Sequence, residues 1–132
     1  MSTRELGNSG EDAAEVYLRS KGLKILKRNF IGSRGEVDII AKDGDCFVFV
    51  EVKSWSAYDK DSLCLSISSG KMRRICYTAL EYLYSEGLSE EDVDLRFDVI
   101  FIRHGKVEHL VGAFDGILED GTYSKENRPQ ED

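Results

Sequence analysis

Asp38, Glu51 and Lys53 are the residues whose types and spacing could do chemistry. Asp38 lies in the run Gly35-Glu36-Val37-Asp38-Ile39-Ile40-Ala41. Glu51 and Lys53 close the run Cys46-Phe47-Val48-Phe49-Val50-Glu51-Val52-Lys53. The pattern is an aspartate in one apolar run and Glu-x-Lys at the end of the next. Two carboxylates supply the hard oxygen donors that Mg²⁺ prefers, with Mn²⁺ as a substitute, and the Val52 carbonyl could add a third. Such an ion lowers the pKa of a bound water and polarises a phosphoryl oxygen. Lys53 could orient the attacking water or stabilise charge on the phosphoryl oxygens. Phosphodiester hydrolysis fits this set. Glu-x-Lys alone is common, and the plain alternative is an ion pair of Lys53 with Glu51 or Asp38 at a sheet end.

The elements around these residues give the pattern its weight. Asp43-Gly44 between two apolar runs is a strong hairpin signal. With those two residues at the centre of a type I′ turn, Lys42 faces Asp45, Asp38 faces Phe49, and Glu36 faces Glu51. Alternation puts Glu36, Asp38, Ile40, Phe47, Phe49, Glu51 and Lys53 on one face. Val37, Ile39, Ala41, Cys46, Val48, Val50 and Val52 form the other, which is wholly apolar and must be core. Asp38 and Glu51 come out as diagonal neighbours, a gap suited to one divalent cation. Glu36 opposite Glu51 repels it unless a cation intervenes.

A first helix is expected over Thr3–Lys21, capped by Ser2 or Thr3 and stopped by Gly22. Its stripe of Leu6, Gly10, Ala13, Ala14, Tyr17 and Leu18 suits close packing on a sheet, and Glu11 borders that stripe. Leu23–Phe30 reads as a strand and 31–35 as a turn-rich link. The polar stretch 54–61 reads as a loop or bent strand end, and Leu63, Leu65 and Ile67 alternate as in a short strand or arm. Met72, Ile75, Cys76, Ala79, Leu80 and Leu83 mark a second helix, with Ser68 or Ser69 as N-cap and Gly87 as stop. Lys71, Arg73 and Arg74 open that helix against its dipole, either as a solvated face or as an anion-binding end. Arg96–Ile102 is a strand with Asp98 as a further internal acid, pairing with Arg96 or a helix end. Val107–Val111 returns as an antiparallel edge strand. His104 and His109 read as surface residues. The order α-β-β-β-α-β plus an edge strand is an α/β mixed sheet flanked by helices.

The 132 residues fit one domain over 1–114, followed by an acidic, poorly apolar tail over 115–132. Apolar content of 41% is that of a folded chain. Three cysteines without a Cys-x-x-Cys pair point to a reducing compartment. No apolar leader or membrane-length run is present, and a cytoplasmic location is expected. A net charge of −7 argues against a strong general nucleic-acid binder, though not against a local basic patch.

The segments Gly10-Glu11-x-x-Ala14, Gly35–Ala41, Phe49–Lys53, Lys71-x-Arg73-Arg74-Ile75, Arg96–Ile100 and Val107–Leu110 together resemble the YraN family. These are small bacterial endonuclease-like proteins, distantly similar to Holliday-junction resolvases, whose biological role is not established. The resemblance spans Gly10 to Phe114. It implies the restriction-endonuclease-like fold and an Mg²⁺-dependent endonuclease acting on DNA, including branched or damaged DNA. By that resemblance Asp38 and Glu51 are metal ligands and Lys53 the catalytic lysine. Glu11 reaches the site from the first helix, Glu36 stands beside the aspartate, and Lys71 opens the second helix. Lys71, Arg73, Arg74, Arg34 and Lys27 or Arg28 would contact phosphate. Ser54-Trp55 stands where the family usually carries a basic residue, which implies modest nucleic-acid affinity. The alternative is a catalytically silent protein of this fold that binds nucleic acid or a protein partner. A homodimer is expected of an enzyme that cuts two strands.

Overall fold

The structure is a computed structural model that describes residues 3–54 and 68–114, with side chains from Gly10 onward. The expectations for Ser2, Leu6, Cys64, the stretch from Trp55 to Ile67 and the tail 115–132 lie outside the described residues. The elements run α1 (Thr3–Ser20), β1 (Lys24–Ile31), β2 (Glu36–Asp43), β3 (Cys46–Ser54), α2 (Ser69–Ser85), β4 (Asp94–Arg103) and β5 (Lys106–Phe114). One five-stranded sheet has the order β1-β2-β3-β4-β5. Only β3 and β4 pair in parallel, and the connection between them carries α2. This is the α/β mixed sheet with the α-β-β-β-α-β core that the sequence implies. Neither described helix is long and apolar enough to cross a membrane.

Both helices end as their glycines dictate. Gly22 (φ 91°) and Gly87 (φ 77°) take the left-handed conformation, and the following N–H groups bond back to Leu18 O and Leu83 O. Ser68 is the N-cap of α2, its hydroxyl accepting from Lys71 N–H at 3.1 Å.

The sheet is buried on both sides. Ala14 and Leu18 of α1 pack on Ile39, Ala41, Val48, Val50 and Ile100. Ile75, Cys76, Ala79, Tyr82 and Leu83 of α2 pack on the opposite side with Ile40, Phe47, Phe49 and Phe97. Gly10 lies where α1 crosses the end of β3, close enough that a Cβ there would make the Ser54 hydroxyl turn aside.

Three expectations need correction. Gly44-Asp45, not Asp43-Gly44, form the centre of the β2–β3 turn, so Lys42 pairs with Phe47 and Ile39 with Val50. Gly44 supplies positive φ (61°) at the first central position, as a type II′ turn needs, while Asp43 and Asp45 avoid it. The slip is two residues, so the faces survive but the partners change. One step past Ile39–Val50, Asp38 lies across from Glu51, and Glu36 no longer does. Second, Val37 does not share the α1 face with Ile39. Beyond left-handed Asn29 (φ 54°), Val37 and its partner Phe30 pack into the α2 cluster, and Phe30 meets the Tyr82 ring edge-on. Third, His109 is not a surface residue. Its side chain is 8% exposed, its Nε2 lies 2.7 Å from the fully buried Asp98 carboxylate, and Tyr17 meets its ring edge-on. His104 is exposed at its turn, as expected.

Asp98 is saturated with partners. Arg96 donates two hydrogen bonds to it, each 3.0 Å, and Gly112 N–H donates a third at 2.9 Å, beside the His109 contact. Arg96 is tied in turn to Asp43 at 2.9 Å. Burial pushes the Asp98 carboxyl up, but the bonds from His109, Arg96 and Gly112 outweigh it and hold the pKa below the ordinary value. A depressed carboxylate contributes stability above its unfolded pKa, and the contribution fades as pH falls through the lower folded value. Asp98→Asn is expected to lose about 3 kcal/mol at neutral pH, since Arg96 loses its buried counter-charge. In urea titrations the gap to wild type narrows below about pH 4. A gap that stays constant down to low pH would refute this account of Asp98.

Candidate functional site

The candidate site forms where β2 and β3 part company. Their ladder ends at Ile39–Val50, and the next N–H on that edge, Val52, finds the Asp38 carboxylate instead, at 2.8 Å. The side chain takes over from a backbone carbonyl, which turns Asp38 inward between the strands. Glu51 is buried, its side chain only 6% exposed. Lys71 Nζ lies 2.8 Å and Lys53 Nζ 3.4 Å from the same atom, Glu51 Oε2.

Asp38, Glu51 and Lys71 line a cleft of about 450 Å³ together with Glu36, Arg74 and the β1–β2 link, and Lys53 reaches it through Glu51. The link is fixed from α2. Glu81 accepts from Ser33 N–H with both oxygens, at 3.0 and 3.2 Å, and the Arg34 guanidinium lies 4.2 Å from the centre of the Tyr77 ring. Gly35 passes so close to the helix that an added Cβ would lie 3.3 Å from Arg74 Cβ.

The electrostatics mark Asp38 as the unsettled member. Its pKa is pushed up to about 7, first by burial and then by the Glu51 charge, with Glu11 and Glu36 adding to it and Val52 N–H opposing. Burial works against the Lys71 ammonium, yet its bond to Glu51 holds its pKa above the ordinary value. A divalent cation fits the donors. Two hard carboxylates from adjacent strands line one cleft, and their mutual repulsion is relieved by positive charge. No cluster of three acid, histidine or cysteine side chains suited to a metal occurs among the described residues. With two carboxylates alone, an ion held here would take most of its coordination from water.

The sequence-derived set is partly gathered here. Asp38, Glu51, Lys53, Lys71, Arg74 and Glu36 converge. Glu11 acts on Asp38 through its charge, while its carboxylate lies 3.4 Å from Arg28. Arg28 is bound to α1, with Asp12 at 2.6 Å and Glu15 at 3.2 Å besides Glu11. Arg73 is exposed on α2 and does not line the cleft. Sequence reasoning missed Glu81, whose only signal was its place on α2 facing the glycine-rich link. Glu81→Ala is expected to speed hydrogen exchange of the Ser33 amide about tenfold, the loss of one charge-assisted bond. An unchanged exchange rate would show that the link holds itself.

Residues 10–102 match the family model for the uncharacterised protein family UPF0102. A UPF0102 protein of Thermodesulfovibrio yellowstonii is 40% identical over 114 residues, covering 86% of this chain and 99% of its own. One of Clostridioides difficile is 40% identical over 116 residues, covering 86% of this chain and all of its own. One of Persephonella marina is 41% identical over 109 residues, covering 83% and 92%. The carboxylates and lysines of the cleft lie inside the matched region, and the chain belongs to the UPF0102 family, the YraN family of the sequence resemblance.

Proposed function

We propose that this protein is a divalent-metal-dependent endonuclease that hydrolyses phosphodiester bonds in DNA. The observation that carries the reading is the convergence of Asp38, Glu51 and Lys53 beside a cleft walled by Lys71 and Arg74. Asp38 and Glu51 hold the ion, Mg²⁺ or Mn²⁺, which supplies a water of lowered pKa and a polarised phosphoryl oxygen. Lys53 shares the Glu51 carboxylate and is placed to steady charge on the phosphoryl oxygens. Lys71 and Arg74 meet the phosphate from the start of α2, where the helix amides add to their charge. Glu11 and Glu36 add negative potential at Asp38 and strengthen its hold on a cation. Arg34, Arg73 and Arg28 are the further cations of this reading, with Arg28 also held by the acids of α1.

A second reading keeps the fold and the phosphate-binding wall without catalysis. The net charge of −7 and the two ammonium groups on Glu51 favour it. Cleavage assays separate the two. Linear, supercoiled and four-way-junction DNA are incubated with protein in Mg²⁺ or Mn²⁺. Cutting is expected, and Glu51→Ala and Lys53→Ala each reduce it at least about 10²-fold. Binding without metal-dependent cutting would sink the enzyme reading and leave the second.

A further inference from the structure

Two ammonium groups meet one carboxylate oxygen in the cleft, and they are not equivalent. Lys53 comes from Glu51's own strand, two residues on, and lies 3.4 Å from Oε2. Lys71 crosses from α2 and is the closer, at 2.8 Å, with 36% of its side chain exposed. It occupies the third position after the Ser68 cap, where acidic side chains are favoured and a cation opposes the dipole. Helix propensity therefore does not explain a lysine here, whereas the buried Glu51 carboxylate does. Arg74 and Ile75, one turn further along α2, line the same cleft. A four-carbon stem on an exposed helix start lets Lys71 turn from Glu51 to that wall without moving backbone.

The local charge count makes such a turn consequential. Glu36, Asp38 and Glu51 stand against Lys71 and Arg74, with Lys53 a further ammonium on Glu51. Adding a divalent cation at the carboxylates while both ammoniums stay would crowd like charges within a few ångströms. We propose that Lys71 is a displaceable counter-ion, which competes with a divalent cation for Glu51 and, once released, joins Arg74 as a contact for a phosphodiester. The inference rests on the metal-dependent reading above. It makes metal and nucleic acid bind cooperatively through one side chain, because a phosphate that draws Lys71 away removes the competitor at Glu51.

Calorimetric titration with Mn²⁺ in the absence of DNA tests the competition. Lys71→Met and Lys71→Gln are expected to bind Mn²⁺ about tenfold more tightly than wild type. Two substitutions of different polarity guard against a fold defect in one of them, with thermal melts as the check. Arg74→Gln removes a charge from the same cleft and is expected to gain less than about threefold. An equal gain from Arg74→Gln would assign the effect to the general field of the cleft and overturn the proposal. Equal or weaker binding by both Lys71 variants would also overturn it, while leaving the metal-dependent reading intact. Absence of Mn²⁺ binding in every protein at millimolar concentration would overturn both.

Discussion

A carboxylate inside a sheet is tolerable only with partners, and the site depends on how two of them are satisfied. Asp38 ends the β2–β3 ladder by accepting the Val52 N–H that β2's backbone no longer reaches. That substitution separates the strands and opens the cleft. Glu51, one register step across, then needs charge from outside the hairpin. Lys71 provides it from the start of α2, a helix held on the sheet by Ile75, Cys76, Ala79, Tyr82 and Leu83. Glu81, further along α2, holds the β1–β2 link as the opposite wall. The glycines at 32 and 35 ease that close passage, since a Cβ at either would press on Glu81 or Arg74. One backbone donor without a strand partner, a half-buried aspartate and a buried glutamate therefore meet where a helix start and a loop close over the sheet end.

The same sheet solves the same problem differently at Asp98. There Arg96, His109 and Gly112 N–H fill the carboxylate's capacity and hold its pKa down. Asp38 has one N–H, a neighbouring carboxylate, and a pKa raised to about 7. Two internal acids in adjoining parts of one fold thus diverge in opposite directions. A saturated carboxylate welds β4 to β5 and has no capacity left for a ligand. An under-compensated one beside a second acid is a candidate for function, and on the endonuclease reading it is where the cation would bind. This contrast runs with burial, which is complete at Asp98 and partial at Asp38.

Much of this was legible in the sequence because parity is robust. The hairpin register was misjudged by two residues at the turn, where Asp43-Gly44 looked like the centre and Gly44-Asp45 is. An even slip leaves faces intact, so Asp38, Glu51 and Lys53 still fell together. Periodicity also found α2, its Ser68 cap and its Gly87 stop, since each is a local signal. What failed was non-local. Val37 packs on the α2 side, beyond the left-handed Asn29 of the neighbouring strand, a break that nothing within β2 signals. His109 looked like a surface residue because nothing within β5 shows that Asp98 lies beneath it or that Tyr17 covers it. Glu81 was invisible for the same reason, its partner being a backbone amide far away in sequence.

Charge on this molecule is arranged, not merely summed. Three acids of α1 hold Arg28, and Asp43 and Asp98 hold Arg96, so those cations are neutralised within the fold. At the cleft, Lys71 and Arg74 stand at a helix start whose amides add positive potential. A chain of net charge −7 therefore still presents a short positive wall beside its two crowded carboxylates. A wall this short can neutralise only a few phosphates, and binding that rests on few phosphates depends weakly on salt. On the endonuclease reading, such a wall positions a short length of backbone beside the carboxylates, and contacts to phosphate hold a strand in place without reading its sequence.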